Sequence, residues 1–157
     1  MLIRLFYAFA CIAMILGFSS EAVAQRADAA NRSLTVPMYV TDNNGNQITI
    51  IAYKDGAVTE APEFPGGENA FTTFVNNTRR YPEEAYEQGI QGDITCQFLV
   101  DTNGDVKYVS LFKPKHANYL LVQEAIRVLS KMPRWQPGMI DGVPVKVRVV
   151  RKVSFKR

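Results

Sequence analysis

Histidine occurs once, at His116, and cysteine twice, at Cys11 and Cys96. So few imidazoles and thiols argue against a structural or catalytic zinc site, which draws on three or four such ligands. They also argue against a thiol or serine nucleophile, because either needs an activating base held beside it. His116 lies in a loop-like stretch with nothing to place it near Cys96. No Gly-x-Ser-x-Gly occurs, and Pro65-Gly66-Gly67 is not followed by the Lys-Ser/Thr of a phosphate loop. A tight start to the helix that follows explains those glycines better than an anion site. Charge of one sign is also scarce. The net charge is +3, and no Lys/Arg block is interleaved with stacking aromatics, which argues against nucleic-acid binding. There is no internal repeat and no long Pro-rich spacer. The residues point to no enzyme and to no cofactor.

The N-terminus carries a targeting pattern. Arg4 is followed by the apolar run Leu5–Phe18, then by Ala22-Val23-Ala24, the small-x-small pattern read by signal peptidase. Residues 1–24 therefore read as a secretory signal peptide cleaved before Gln25, which places the mature chain in the periplasm. The rival reading is an uncleaved anchor in the inner membrane. A spanning helix needs roughly 20 apolar residues, and Ser19, Ser20 and Glu21 interrupt the run too early. After cleavage Cys96 is the one remaining thiol, so an intramolecular disulfide is excluded and a buried small hydrophobe is expected.

In the mature chain, residues 25–61 read as a flexible arm or a small hairpin. Leu34–Val40 and Ile48–Tyr53 are its β-like runs, with Thr41–Gln47 between them as a turn. Residues 62–157 read as the main domain. Glu68–Asn76 has one apolar side, and a second helix starts at Pro82 and stops at Gly89. Gly92–Pro114 reads as a β-hairpin around Asp101-Thr102-Asn103-Gly104-Asp105, because Asn-Gly tolerates the positive φ of a tight turn. Leu121, Ala125, Val128, Leu129 and Met132 mark the core face of a helix over Asn118–Met132. Val143–Phe155 reads as one long strand, with valines on one side and Lys146, Arg148 and Lys152 on the other. This order gives an antiparallel sheet with helices on one face, a two-layer α+β domain.

Several residues invite chemistry and are better explained by structure. Asp101-x-Asn103-x-Asp105 opens like a calcium loop, but Val106 and Phe112 stand where Gly and Glu are required. Glu83 and Glu84 are adjacent on a helix and diverge. Trp135, at a helix exit, reads as a lid over the end of the sheet. The last strand is different. Lys146, Arg148, Arg151, Lys152, Lys156 and Arg157 follow Asp141 without an acidic residue. At a sheet edge, such a strand could accept an extended acidic peptide, or its charges could simply guard against aggregation.

Tyr81-Pro82-x-x-Ala85-x-x-x-Gly89-Ile90-x-Gly92, Val100-Asp101-x-x-Gly104-x-Val106, Arg134-Trp135-x-Pro137-Gly138 and the Val-rich terminus occur in one order. Together they resemble the C-terminal domain of TonB, the periplasmic energy transducer. Pro62–Gly67 with its helix is similar to the extension of Bacteroidetes members. The resemblance implies helices packed on one face of a three-stranded antiparallel sheet. It also implies binding of a "TonB box" segment of an outer-membrane receptor, or of another envelope protein, beside the last strand. On this chain the peptide-binding residues would be Val145, Lys146, Val147, Arg148, Val149, Val150, Arg151, Lys152 and Val153, with Asn77, Thr78, Arg79 and Arg80 as a second contact. The family's Gln-Pro element is missing from that second segment. Homodimers through edge strands are also known in the family. The resemblance leaves two architectures, a stand-alone periplasmic binding module or a membrane-anchored energy transducer with an uncleaved N-terminus. N-terminal sequencing of protein from fractionated cells is expected to begin at Gln25. An intact Met1 in the inner-membrane fraction would overturn the signal-peptide reading.

Overall fold

The computed structural model describes residues 34–41 and 44–157. The signal peptide expected over residues 1–24 and the polar lead Gln25–Arg32 lie outside the described residues. Two compact units divide between Thr35 and Val36. Apart from Leu34 and the first residue of strand β1, every described element belongs to the second. The elements are β1 (Thr35–Thr41), β2 (Gln47–Lys54), a single 3-10 turn (Asp55–Ala57), α1 (Gly67–Thr78), α2 (Glu83–Glu87), β3 (Gly92–Val100), β4 (Val106–Lys113), α3 (Tyr119–Leu129), β5 (Gly138–Ile140), β6 (Val143–Val145) and β7 (Val147–Phe155).

The β3–β4 hairpin forms where the alternation places it. Ile94, Cys96, Phe98 and Val100 are buried, as one face of a pleated strand must be when helices cover it. The Asp101 carboxylate organises the turn. Its Oδ1 accepts from Asn103 N at 2.9 Å and Asp105 N at 3.0 Å, and its Oδ2 accepts from Lys107 Nζ at 2.6 Å. Burial works against the Asp101 charge, but the Lys107 ammonium and the two backbone N–H groups outweigh it and hold the carboxyl below its ordinary value. The Asp101 oxygens that a calcium loop would offer are thus spent on the turn itself.

On the other side of β3 lies β7, antiparallel, in register from Gly92↔Phe155 to Val100↔Val147. The expected three-stranded antiparallel sheet is incomplete: among the described residues the sheet has five strands in the order β1-β2-β7-β3-β4, and it is mixed. β2 joins parallel to β7 through Tyr53↔Val147 and Lys54↔Arg148. The reason is apolar burial. Met38, Val40 and Ala52 form a second cluster with Leu99, flanked by Ile48, Ile50 and Tyr108. Leu99 neighbours Phe98 and Val100 in β3, so it points to the face away from the helices. An isolated two-stranded hairpin is marginal in water, and this one gains stability by docking.

The helical face holds the main core. α3 contributes Leu121, Ala125, Val128 and Leu129, and α1 contributes Phe71 and Val75. Asn118 caps α3, its Oδ1 accepting from Leu120 N at 3.0 Å, which satisfies one orphan donor of the first turn. α1 begins at Gly66, whose φ of 86° only glycine adopts freely. Gly67 N donates to Phe64 O at 2.7 Å, the tight helix start expected for these glycines. Trp135 stands at the hub, with ring centroids 5.4 Å from Phe98, 5.8 Å from Phe64 and 6.1 Å from Phe71. Its indole Nε1–H is buried without an acceptor, while its backbone N–H donates to Gly104 O at 2.9 Å. The hairpin turn is thereby pinned to the chain that follows α3.

The long terminal strand expected over Val143–Phe155 is two strands. Asp141-Gly142 makes a turn, Val143–Val145 pairs antiparallel with Gly138–Ile140, and Lys146 separates this small hairpin from β7. A third fastening holds the link between α1 and α2. Glu124, 9% exposed, accepts from Arg80 N at 2.6 Å and from Arg127 Nε at 2.7 Å, while Arg127 Nη2 donates to Thr78 O at 2.8 Å. Burial works to raise the Glu124 pKa, but these bonds outweigh it and hold the carboxyl below its ordinary 4.5.

Gly104 has φ +83°, and a Cβ there would stand 1.9 Å from Trp135 O. Gly104→Ala is expected to cost more than about 2 kcal/mol in urea unfolding, from backbone strain and a forced shift of Trp135. Full stability in this variant would mean that the turn is not pinned as described. Glu124→Gln is expected to lose about 1–2 kcal/mol at neutral pH, the scale of a charge-assisted bond. A depressed folded-state pKa adds stability above the unfolded value, and that stability is lost as pH falls through the folded one. The gap between wild type and variant is therefore expected to close as pH drops below about 4.5. A gap independent of pH would remove the carboxylate from this role.

Candidate functional site

β7 is occupied along one side and half open along the other. On the β2 side, Tyr53 N donates to Lys146 O at 2.9 Å, and pairing stops after Arg148. Further on, Val150 O accepts from Arg151 Nη1 and Ser154 O from Arg79 Nη1. Backbone groups of alternate residues point to the same side of a strand. Lys146, Arg148, Val150, Lys152 and Ser154 therefore face away from β3. Among the described residues no strand pairs with Val150, Lys152 or Ser154 on that side.

α1 runs beside this open stretch. A groove of about 380 Å³ lies between them, with Glu68, Phe71, Thr72, Val75, Asn76 and Arg79 on one wall. Val150, Arg151, Lys152 and Ser154 form the other. The α1 wall is apolar where Phe71 and Val75 reach it and charged at its two ends. Glu68 sits in the first turn and Arg79 just beyond the last.

Arg151 is the residue that the sequence pattern disguised. It pairs across from Cys96, in phase with Val147, Val149, Val153 and Phe155, so it enters the helical face as the one charged member of an apolar stripe. Its guanidinium lies over the Trp135 ring at 5.7 Å. It reaches Asp55 Oδ2 at 3.4 Å and Glu68 Oε2 at 4.0 Å. The Nε–H is buried with no acceptor in hydrogen-bond reach. The phase of Arg151 with the valines was the signal that could have singled it out. Lys152 points the other way, to Asp93 Oδ2 at 3.0 Å. Arg148, on that same outer face, lies over Phe112 at 5.5 Å.

The remaining expected site residues divide. Val150, Arg151, Lys152 and Arg79 meet at the groove. Val147, Val149 and Val153 are fully buried, and their backbones face β3. Val145 belongs to β6, and Lys146 bridges to β2. Asn77 and Arg80 are exposed, while Thr78 O is held by Arg127. The contribution of α1 and Asp55 was not legible in the pattern. A second groove of about 500 Å³ separates Glu60–Glu63 from Gln136–Met139 and has no such open strand edge.

Burial pushes the Cys96 thiol up to about 11, which keeps it protonated and unreactive. No group of three or more metal-ligating side chains occurs among the described residues. None of the described helices is long and apolar enough to cross a membrane.

Comparison with known proteins bears on residues 77–157, which match the family model described as Gram-negative bacterial TonB protein C-terminal. Among solved structures, the solution NMR structure of the TonB C-terminal domain of Helicobacter pylori is similar, at 18% identity and a TM-score of 0.44. That match covers 56% of this chain and 90% of the other. No curated protein sequence matches the chain. The family match begins within the last turn of α1 and spans β3, β4, α3 and β7, just over half of the sequence. The chain belongs to the family of Gram-negative bacterial TonB protein C-terminal domains.

Proposed function

We propose that this protein is a periplasmic binding module that takes up an extended peptide of an outer-membrane receptor, or of another envelope partner, by adding it as a strand to β7. Membership of the family associates the chain with TonB-dependent transport. The observation that carries the finer reading is the stretch Val150–Ser154 beside a groove, where no described strand pairs with the outward backbone and two carbonyls are held only by arginine side chains. Main-chain hydrogen bonds give such an added strand its affinity, and side-chain pockets give it specificity.

The site is shorter than the last strand as a whole. It runs from Val150 to Ser154, because β2 occupies the edge at Val147 and Arg148. Its floor is rigid, since β3 pairs with every residue of β7, so little order has to be created when a peptide binds. Arg79 supplies the contact at the end of the groove. Asn77, Thr78 and Arg80 serve to carry the chain from α1 to α2. Dimerisation through sheet edges would use β1 or β4, which end the sheet, and would leave the groove free.

Lys152→Pro removes the donor that faces the groove without touching the β3 ladder. It is expected to weaken binding of a TonB-box peptide at least about tenfold, the scale of one lost hydrogen bond with a misplaced strand. Proline at Val147 would instead cut the β3 ladder and unfold the sheet. Calorimetric titration of the full chain in mild detergent, with circular dichroism to confirm folding, makes the measurement. Unchanged affinity in a folded Lys152→Pro variant would rule out strand addition at this edge.

A further inference from the structure

Three cationic residues, Arg79, Arg151 and Lys152, line the α1–β7 groove, and Lys152 is already engaged by Asp93. Arg79 has no carboxylate partner among the described residues. It lies over the Phe155 ring at 5.7 Å and donates to the carbonyl of Ser154, one of the three residues whose backbone is open to an added strand. Arg151 keeps a buried Nε–H with no acceptor. A buried donor on a charged group that lacks its acceptor is costly, more so than a neutral one. Glu68 Oε2 stands 4.0 Å from that nitrogen, beyond hydrogen-bond length, on a side chain 71% exposed. Asp55 pairs with Nη1 at 3.4 Å, and Glu68 adds its charge at a distance without completing the hydrogen bonding of Nε.

We propose that the segment added to β7 is acidic, that one of its carboxylates is received between Arg79 and Arg151, and that Glu68 of α1 is the resident competitor for that place. The proposal rests on strand addition at Val150–Ser154 and names what the groove selects. As the strand enters, its own N–H takes over the Ser154 carbonyl and releases the Arg79 guanidinium. The freed guanidinium and the Arg151 Nε–H then offer forked donors to a carboxylate, the geometry that arginine matches best. Glu68 leaves at little cost because it is exposed and held only by long-range attraction. α1 lies almost entirely outside residues 77–157, which match the family. The resident competitor Glu68 therefore lies outside the matched segment, while Arg79 and Arg151 lie within it.

The test uses the isotope-labelled full chain in mild detergent and two synthetic peptides of equal length and β-propensity, one bearing a central Glu and the other a Gln there. Amide signals of Val150, Lys152 and Ser154 report docking. The Glu peptide is expected to bind more tightly than the Gln peptide, with an advantage that shrinks as salt rises. Glu68→Gln is expected to tighten the Glu peptide about two- to fivefold, the range of an exposed ion pair, and to leave the Gln peptide unchanged. Arg79→Gln is expected to abolish the preference. If both peptides shift these signals equally and Glu68→Gln alters neither, the charge selection is overturned while strand addition stands. If neither peptide shifts them, strand addition itself fails and the selection with it.

Discussion

The pairing of β7 with β3 is the constraint on which the rest of the protein depends. Residue for residue from Gly92↔Phe155 to Val100↔Val147, it fixes which side chains enter the helical face and which backbone groups remain for other partners. A slip of one residue would expose Val147, Val149, Val153 and Phe155 and drive Arg148 and Lys152 into the core. The aromatic hub around Trp135, the cover provided by α3 and the docking of α1 all presuppose that register. So does the open edge, because only alternate residues of β7 present their donors and acceptors on the side away from β3.

Against this scaffold, the placement of Arg151 is the costly element. A guanidinium in an apolar stripe loses hydration and must find compensation from its surroundings. Trp135 gives its ring face, and Asp55 and Glu68 give charge, yet one N–H is left without an acceptor. An incompletely satisfied charge beside an open strand edge is an arrangement suited to binding, since a ligand supplies what the fold withholds. Asp101 and Glu124 show the contrary arrangement, with carboxylates enclosed by donors whose only work is to fasten a turn and a link.

Much of this was legible in the residues. Period-two alternation fixed β3, the Asp-Thr-Asn-Gly-Asp run fixed its turn, and helical spacing fixed α1 and α3 within a few residues. Those signals are local, set by hydrogen bonding and side-chain direction over a few positions. The strand count was not legible. Leu34–Val40 and Ile48–Tyr53 look the same whether they form a separate hairpin or add to a sheet, because docking depends on Leu99, far along the chain. The break at Lys146 was hidden for a similar reason. Val143, Val145, Val147 and Val149 alternate without interruption, and only the pairing of Val143–Val145 with Gly138–Ile140 ends one strand and begins another.

For the Gly92–Pro114 hairpin, sequence alone determined both strands, their inward face and the structural use of the Asp-rich turn. It also determined the family likeness, carried by Tyr81-Pro82, Gly104 and Arg134-Trp135. What only the tertiary structure decided was which part of the last strand is available. That question turns on β2, α1, Asp55 and Glu68, which reach β7 from distant parts of the chain. Side-chain pattern along a strand reports which face is buried. It carries no information about which edge is occupied, because edges are made of backbone and backbone is the same at every residue.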